Sequence, residues 1–202
     1  MAVDVLQQSH NQLPVVIPGE RPFRLFTVEE YYRMAEAGIL KPDERVELIE
    51  GVITTMSPPG TRHAGCVKAL NALLNDLKGQ VALVSVQDPL YIDEYSEPEP
   101  DVALVKYRPD LYRESHPTPI DTLLLVEVCD SSIGADRKDK VPLYAQGGIQ
   151  VLWLIDIQKE AIEVYAQPSE GQYSKFERVG RGHSLEVPGI PGATLLVDDI
   201  LG

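Results

Sequence analysis

Asp101, Glu127 and Lys140 are the residues of this sequence whose types and order could combine into one reaction centre. Asp101 closes the acidic, proline-punctuated run Glu97-Pro98-Glu99-Pro100 and heads Val102-Ala103-Leu104-Val105. Glu127 sits inside Leu123-Leu124-Leu125-Val126-Glu127-Val128. Both runs have the composition of strands, and the apolar residues on either side of Glu127 predict a strand buried on both faces. An unpaired carboxylate there is costly; a buried charge persists when it binds a metal, pairs with a base or takes up a proton. If the two strands are neighbours, their acids converge on one divalent cation. Mg²⁺ held by few carboxylates keeps positions for water and a phosphate oxygen. Phosphodiester hydrolysis needs that arrangement, because the metal neutralises phosphate charge and acidifies its bound water. Lys140, in the helical segment that follows, would orient or deprotonate that water.

Each of these residues also has an ordinary reading. Asp101 could cap the turn after Pro100. Lys140 could pair with Asp136 at the i,i+4 spacing, worth only about a few tenths of a kcal/mol at a surface. Glu127 could pair with a buried arginine, although few arginines are placed to reach it. Glu47 falls out of step with the apolar residues of its strand, so it is either a solvent-facing residue, the commoner case for a strand Glu, or a third acid aimed at the site. His63 either points at a metal-bound phosphate or is exposed. Trp153 and Tyr144 are assigned to the core.

The elements that must position these residues follow from pattern. Thr27-Val28-Glu29-Glu30 has the form of a capping box and opens a helix to about Ala37, where Gly38 stops it. Arg45 to Met56 alternates with period two across Gly51, which predicts a hairpin with Val46, Leu48 and Val52 toward the core or its edges. After the Ser57-Pro58-Pro59-Gly60 loop, His63 to Lys78 presents Val67, Leu70, Leu73, Leu74 and Leu77 at helical spacing. Val81 to Val86 and Leu90-Tyr91-Ile92 read as strand. Residues 107–119 form an irregular excursion in which Arg108 and Arg113, with Lys106 before them, could make a local basic contact surface. Asp130-Ser131-Ser132 turns the chain into a helix from about Ala135 to Gln146, in which Pro142 predicts a kink or a late start. Gln150 to Asp156 and Ala161 to Tyr165 pair across a short turn, Tyr173 to Val179 and Ser184 to Val187 add short strands, and Leu195 to Leu201 makes a last helical turn.

The chain of 202 residues, 44% hydrophobic and 24% charged, is long enough for one core and needs no second domain. We expect a loosely draped arm over residues 1–24 and a single domain over 25–202. The net charge of −13 argues against broad, non-specific attraction to nucleic acid, although a metal-dependent phosphodiesterase needs acidic ligands and can carry a local basic strip. Cys66 and Cys129 have no metal-ligand spacing and read as reduced thiols of a cytoplasmic protein. No apolar run approaches a membrane span, and residues 1–12 lack the form of a signal peptide.

Taken together, several stretches resemble the Uma2 (DUF820) family, a restriction-endonuclease-like branch of the PD-(D/E)XK nuclease superfamily. The resemblance runs through Arg45 to Gly51, Met56-Ser57-Pro58-Pro59 with His63, Pro98 to Val102, Val126-Glu127-Val128, the Asp136, Lys140, Tyr144 spacing, and Gly148 to Asp156 with Trp153. It implies an α/β (α+β) fold with a core of four mixed strands flanked by helices, here with additional β-hairpins. It implies Asp101 and Glu127 as metal ligands, Lys140 as the motif lysine, and Glu47 as an acid contributed ahead of the core. A strict form of the motif places lysine two residues after Glu127, where this sequence has Cys129. Lys140 matches a lysine displaced to the next helix, with Lys138 as its competitor.

The expected activity is a Mg²⁺-dependent DNA endonuclease, with Mn²⁺ as an alternative ion. Asp101, Glu127 and the Val128 carbonyl would hold the metal, Lys140 and Glu47 would complete the catalytic set, and His63 would contact a substrate phosphate. DNA is the expected partner, in a homodimer, with no membrane. A catalytically degenerate binding or assembly module, favoured by the acidic charge and by Cys129, is the alternative, and a hydrolase of small phosphorylated molecules is the third.

Overall fold

The structure is a computed structural model that describes residues 24–130 and 132–202. The arm expected at residues 1–24 lies, Arg24 apart, outside the described residues. α1 (Val28–Glu36) is capped as its sequence predicts: the Thr27 hydroxyl accepts the Glu30 N–H and the Glu30 carboxylate accepts the Thr27 N–H, each at 3.2 Å. β1 (Val46–Ile49) and β2 (Val52–Thr55) pair with Ile49 opposite Val52, which leaves Glu50 and Gly51 as a two-residue loop with φ of 48° and 76°. Those angles belong to the tight turn that matches strand twist. A Cβ at position 51 would lie 2.6 Å from the Leu25 Cβ, so glycine is also required for space. Val46 and Leu48 are buried, but Val52 stays exposed rather than meeting the core.

The remaining elements are α2 (Thr61–Leu77), β3 (Ala82–Ser85), β4 (Val102–Lys106), β5 (Thr122–Cys129), α3 (Ile133–Gln146), β6 (Val151–Asp156), β7 (Ala161–Ser169), β8 (Gln172–Gly180), β9 (Ser184–Glu186), β10 (Thr194–Leu196) and α4 (Val197–Leu201). The main sheet runs β3-β4-β5-β6-β7-β8, and only β5 and β6 are parallel. It is wider than the four strands that the resemblance implies, because β7 and β8 extend it. α3 is the crossover that parallel neighbours require. α2 and α4 cover one face of the sheet, where Leu70, Leu74, Leu124, Val126 and Trp153 pack together. α3 covers the other through Leu125, Leu143, Tyr144 and Leu152.

β5 is therefore buried on both sides, with Leu124, Val126 and Val128 toward α2 and Leu125 and Glu127 toward α3. Leu90-Tyr91-Ile92 does not form a strand. Its amides go instead to Pro98, Pro117 and Ser96 carbonyls, since the prolines of the facing 97–100 segment cannot donate to a ladder. Of the basic residues near 107–119, Arg113 is exposed, while the other two are engaged within the fold. Arg108 is spent on Asp110 and stacks over Tyr112, and the Lys106 ammonium donates to the Ile120 carbonyl at 2.7 Å. Cys66 and Cys129 are buried and unbridged. Among the described residues no helix is long and apolar enough to cross a membrane.

Candidate active site

Register brings the two acids together. β4 and β5 are antiparallel with Val102 opposite Val126, so one step further Asp101 comes opposite Glu127, and cross-strand opposites project from the same face. Asp101 does not cap its own turn. Its Oδ2 accepts the Val128 N–H at 2.9 Å and lies 3.0 Å from His63 Nε2, and its Oδ1 accepts from Gln87 at 3.1 Å. Burial opposes its ionisation, but the His63 hydrogen bond and charge, then the Val128 amide and Gln87, outweigh it and hold the carboxyl below its ordinary value. In extended backbone a residue's N–H and C=O leave by the same edge. The Val128 carbonyl therefore emerges on the β4 side, beside Asp101, while Cys129 turns to β6, where its carbonyl accepts the Ile157 N–H.

Glu127 faces α3, and two residues one turn apart on that helix reach it. The Tyr144 hydroxyl donates to Oε1 at 2.6 Å and the Lys140 ammonium at 3.2 Å. α3 starts two residues earlier than expected and runs through Pro142, which has no N–H to bond the Lys138 carbonyl. The resulting phase turns Lys140 inward and leaves Lys138 exposed. Lys140 does not pair with Asp136; its second partner is Glu47, at 3.1 Å. Burial works to lower the Lys140 value, but Glu127 and then Glu47 overcome it and keep the ammonium charged. Glu127 is pushed up to about 7, first by burial, which Lys140 opposes and Asp101 and Glu47 reinforce.

Glu47 is not solvent-facing. It is 7% exposed, because both sides of β1 are covered. The Leu48 carbonyl accepts the Glu97 N–H, the Val46 carbonyl accepts the Tyr31 hydroxyl, and Glu47 Oε2 accepts the Glu99 N–H at 3.1 Å. His63 is not exposed either: it sits in the first turn of α2 against Asp101, with 15% of its side chain accessible. Two contributors escaped the sequence reading. Gln87 arrives from a loop turned by a positive φ of 55°, and nothing in its local pattern marks it. Tyr144 was assigned to the core, where it is, but its i,i+4 spacing from Lys140 was the signal that it shares a target.

These side chains, Tyr144 apart, line a cleft of about 380 Å³ between the hairpin, the start of α2 and the N-terminal half of α3. Glu47, Asp101 and Glu127 there oppose a single lysine, and the two neighbouring acids push Glu127 toward neutrality. That surplus of negative charge suits a hard cation. Among the described residues no three His, Cys, Asp or Glu side chains form a metal cage by themselves. Two carboxylates, a main-chain carbonyl and water fit Mg²⁺, which keeps several waters, better than a metal that needs a closed set of side chains.

A family model described as "Uma2: Putative restriction endonuclease" matches residues 28–198. Among solved structures, the crystal structure of a "putative nuclease belonging to DUF820" from Anabaena variabilis ATCC 29413 superposes with a TM-score of 0.70 at 16% identity, over 87% of this chain and 97% of that one. At that identity the likeness is one of fold. The type IIG restriction endonuclease BpuSI gives a TM-score of 0.41 at 14% identity, over 73% of this chain and 17% of that one. No curated protein matches the sequence.

Proposed function

The chain belongs to the Uma2 family, and on that premise we propose that it is a Mg²⁺-dependent endonuclease that hydrolyses phosphodiester bonds in DNA. The observation that carries this reading is the meeting of Asp101, Glu127 and Glu47, from three separate segments, in one cleft, with the Lys140 ammonium bound to Glu127 and Glu47. Asp101, Glu127 and the Val128 carbonyl would hold the ion, with Mn²⁺ able to replace it. When bound, the ion supplies charge neutralisation at the phosphate and a more acidic water. Lys140, kept charged by its two acids, donates hydrogen bonds to the attacking water and offsets negative charge as it develops on phosphate oxygens. Glu47 is the second anchor of the ammonium beside Glu127. Gln87 and His63 fix the Asp101 carboxylate, and His63 lines the cleft where it can meet a phosphate oxygen. Water adds to phosphorus, a P–O ester bond breaks, and a phosphate monoester and a free hydroxyl result.

Supercoiled and branched DNA incubated with Mg²⁺ tests the activity. Wild type should nick and linearise them, while Asp101→Ala and Glu127→Ala should not; cleavage that survives both substitutions would rule the assignment out. The net charge of −13 and Cys129 at the usual lysine position favour a second reading, a binding or assembly module without activity. That reading expects no saturable Mg²⁺ or Mn²⁺ binding dependent on Glu127 in a calorimetric titration.

A further inference from the structure

β8 forms one margin of the main sheet. β7 has both edges in use, by β6 and by β8. β8 itself pairs only with β7 among the described residues, so its outer row of N–H and C=O groups is open. The opposite margin, β3, is four residues long, whereas β8 runs for nine with no proline. A long open edge is a template for another strand. Lys175, Phe176 and Glu177 at its middle are exposed, Phe176 at 59% although its ring packs on Tyr165 at 5.1 Å.

We propose that β8 pairs antiparallel with β8 of a second copy of this chain, about a two-fold axis at Phe176, so that the two sheets become one. Charge selects both partner and register. In a two-fold antiparallel pair the axis must pass a residue, which meets its own equivalent, and its neighbours meet in exchange. Centred on Phe176, the pair sets Lys175 opposite Glu177 twice and Phe176 against Phe176, and it brings Arg178 opposite Ser174. Centred on Lys175 or Glu177, it sets like charge against like. Opposite charges across a ladder stabilise it and like charges weaken it, so β8 complements itself in one register only. A lysine on an open edge commonly serves to repel other strands; here the glutamate two residues on converts that lysine into half of a reciprocal pair. β5 and the cleft lie inside the sheet, away from this margin, and remain open.

Sedimentation velocity on the full chain tests the pairing. Wild type should sediment as a dimer. Lys175→Glu and Glu177→Lys alone should each raise the dimer dissociation constant by about tenfold or more. An equimolar mixture of the two should recover a heterodimer, since every cross-strand pair is again opposite in charge. The exposed positions leave folding unaffected, which thermal melts would verify. Phe176→Cys adds a covalent readout: the new thiols face each other across the axis within disulfide range, and Cys66 and Cys129 are buried and do not compete. Oxidation should give a cross-linked dimer. A monomeric wild type, single charge reversals that dimerise as tightly as wild type, or Phe176→Cys that does not cross-link would each overturn the proposal.

Discussion

Glu127 and Glu163 sit in one row across the α3 face of the sheet, on either side of Leu154, and each meets a basic residue of the same helix. Arg137 and Lys140 are three positions apart, so α3 lays one on each carboxylate. Their outcomes are opposite. Arg137 grips Glu163 with both arms of its fork, at 2.9 and 2.5 Å, and Tyr165 adds a third bond at 2.9 Å. Burial opposes ionisation of Glu163, but Arg137 and then Tyr165 outweigh it and hold the carboxyl below its usual range. Lys140 is instead divided between Glu127 and Glu47, and Glu127 is pushed up to about 7. A matched pair pins the helix to the sheet. One turn on, a deliberately unmatched group leaves charge that an added cation can complete.

The largest effects should separate the two acids by function. Glu127→Gln should lower Mg²⁺-dependent DNA cleavage by on the order of 10³-fold, the several kcal/mol expected for losing a metal's charge stabilisation. Glu163→Gln, assayed side by side, should stay within a few-fold of wild type. Comparable losses in both would erase the distinction.

Stability should reverse that ranking. Breaking the half-exposed Arg137 fork by Glu163→Gln should cost about 2 kcal/mol and lower Tm by roughly 4–8 °C. The pH profiles should slope in opposite directions. Glu163 titrates lower folded than unfolded, so its contribution is complete above the unfolded value near 4.3 and is lost as pH falls through the folded one. Glu127 titrates higher folded than unfolded, so without metal its contribution is lost as pH rises from roughly 4.3 to about 7. Chemical denaturation of Glu163→Gln and Glu127→Gln across pH 3–8 should flatten one limb each.

Metal addition sharpens the contrast further. Millimolar Mg²⁺ at pH 8 should raise stability by about 1–2 kcal/mol in wild type and in Glu163→Gln, and leave Glu127→Gln unmoved in a thermal melt. The smallest effect belongs to the exposed lysine. Lys138→Ala should cleave within about twofold of wild type, whereas Lys140→Ala should be nearly inactive; the reverse order would misassign the helix phase.

Asp101 and Glu127 were legible because a charge at the head of an apolar run, or inside one, is conspicuous in any sequence. Strand adjacency was not, since nothing local says that β4 and β5 are neighbours with Asp101 and Glu127 opposed. Glu47 misled because Val46, Glu47 and Leu48 are all buried, so both faces of β1 are covered and alternation could not report which one meets the core. The Glu163 strut escaped for a related reason: Arg137 and Glu163 are 26 positions apart, and only the crossover geometry of α3 joins them. Lys140 stood out by its order after Glu127, but choosing it over Lys138 required the helix phase through Pro142.

Diffraction at the manganese absorption edge from Mn²⁺-soaked crystals addresses the central claim most directly. The account predicts an anomalous peak within about 2.5 Å of an Asp101 oxygen, a Glu127 oxygen and the Val128 carbonyl. An empty cleft, or a peak beside Asp156 and Glu163 instead, would contradict it.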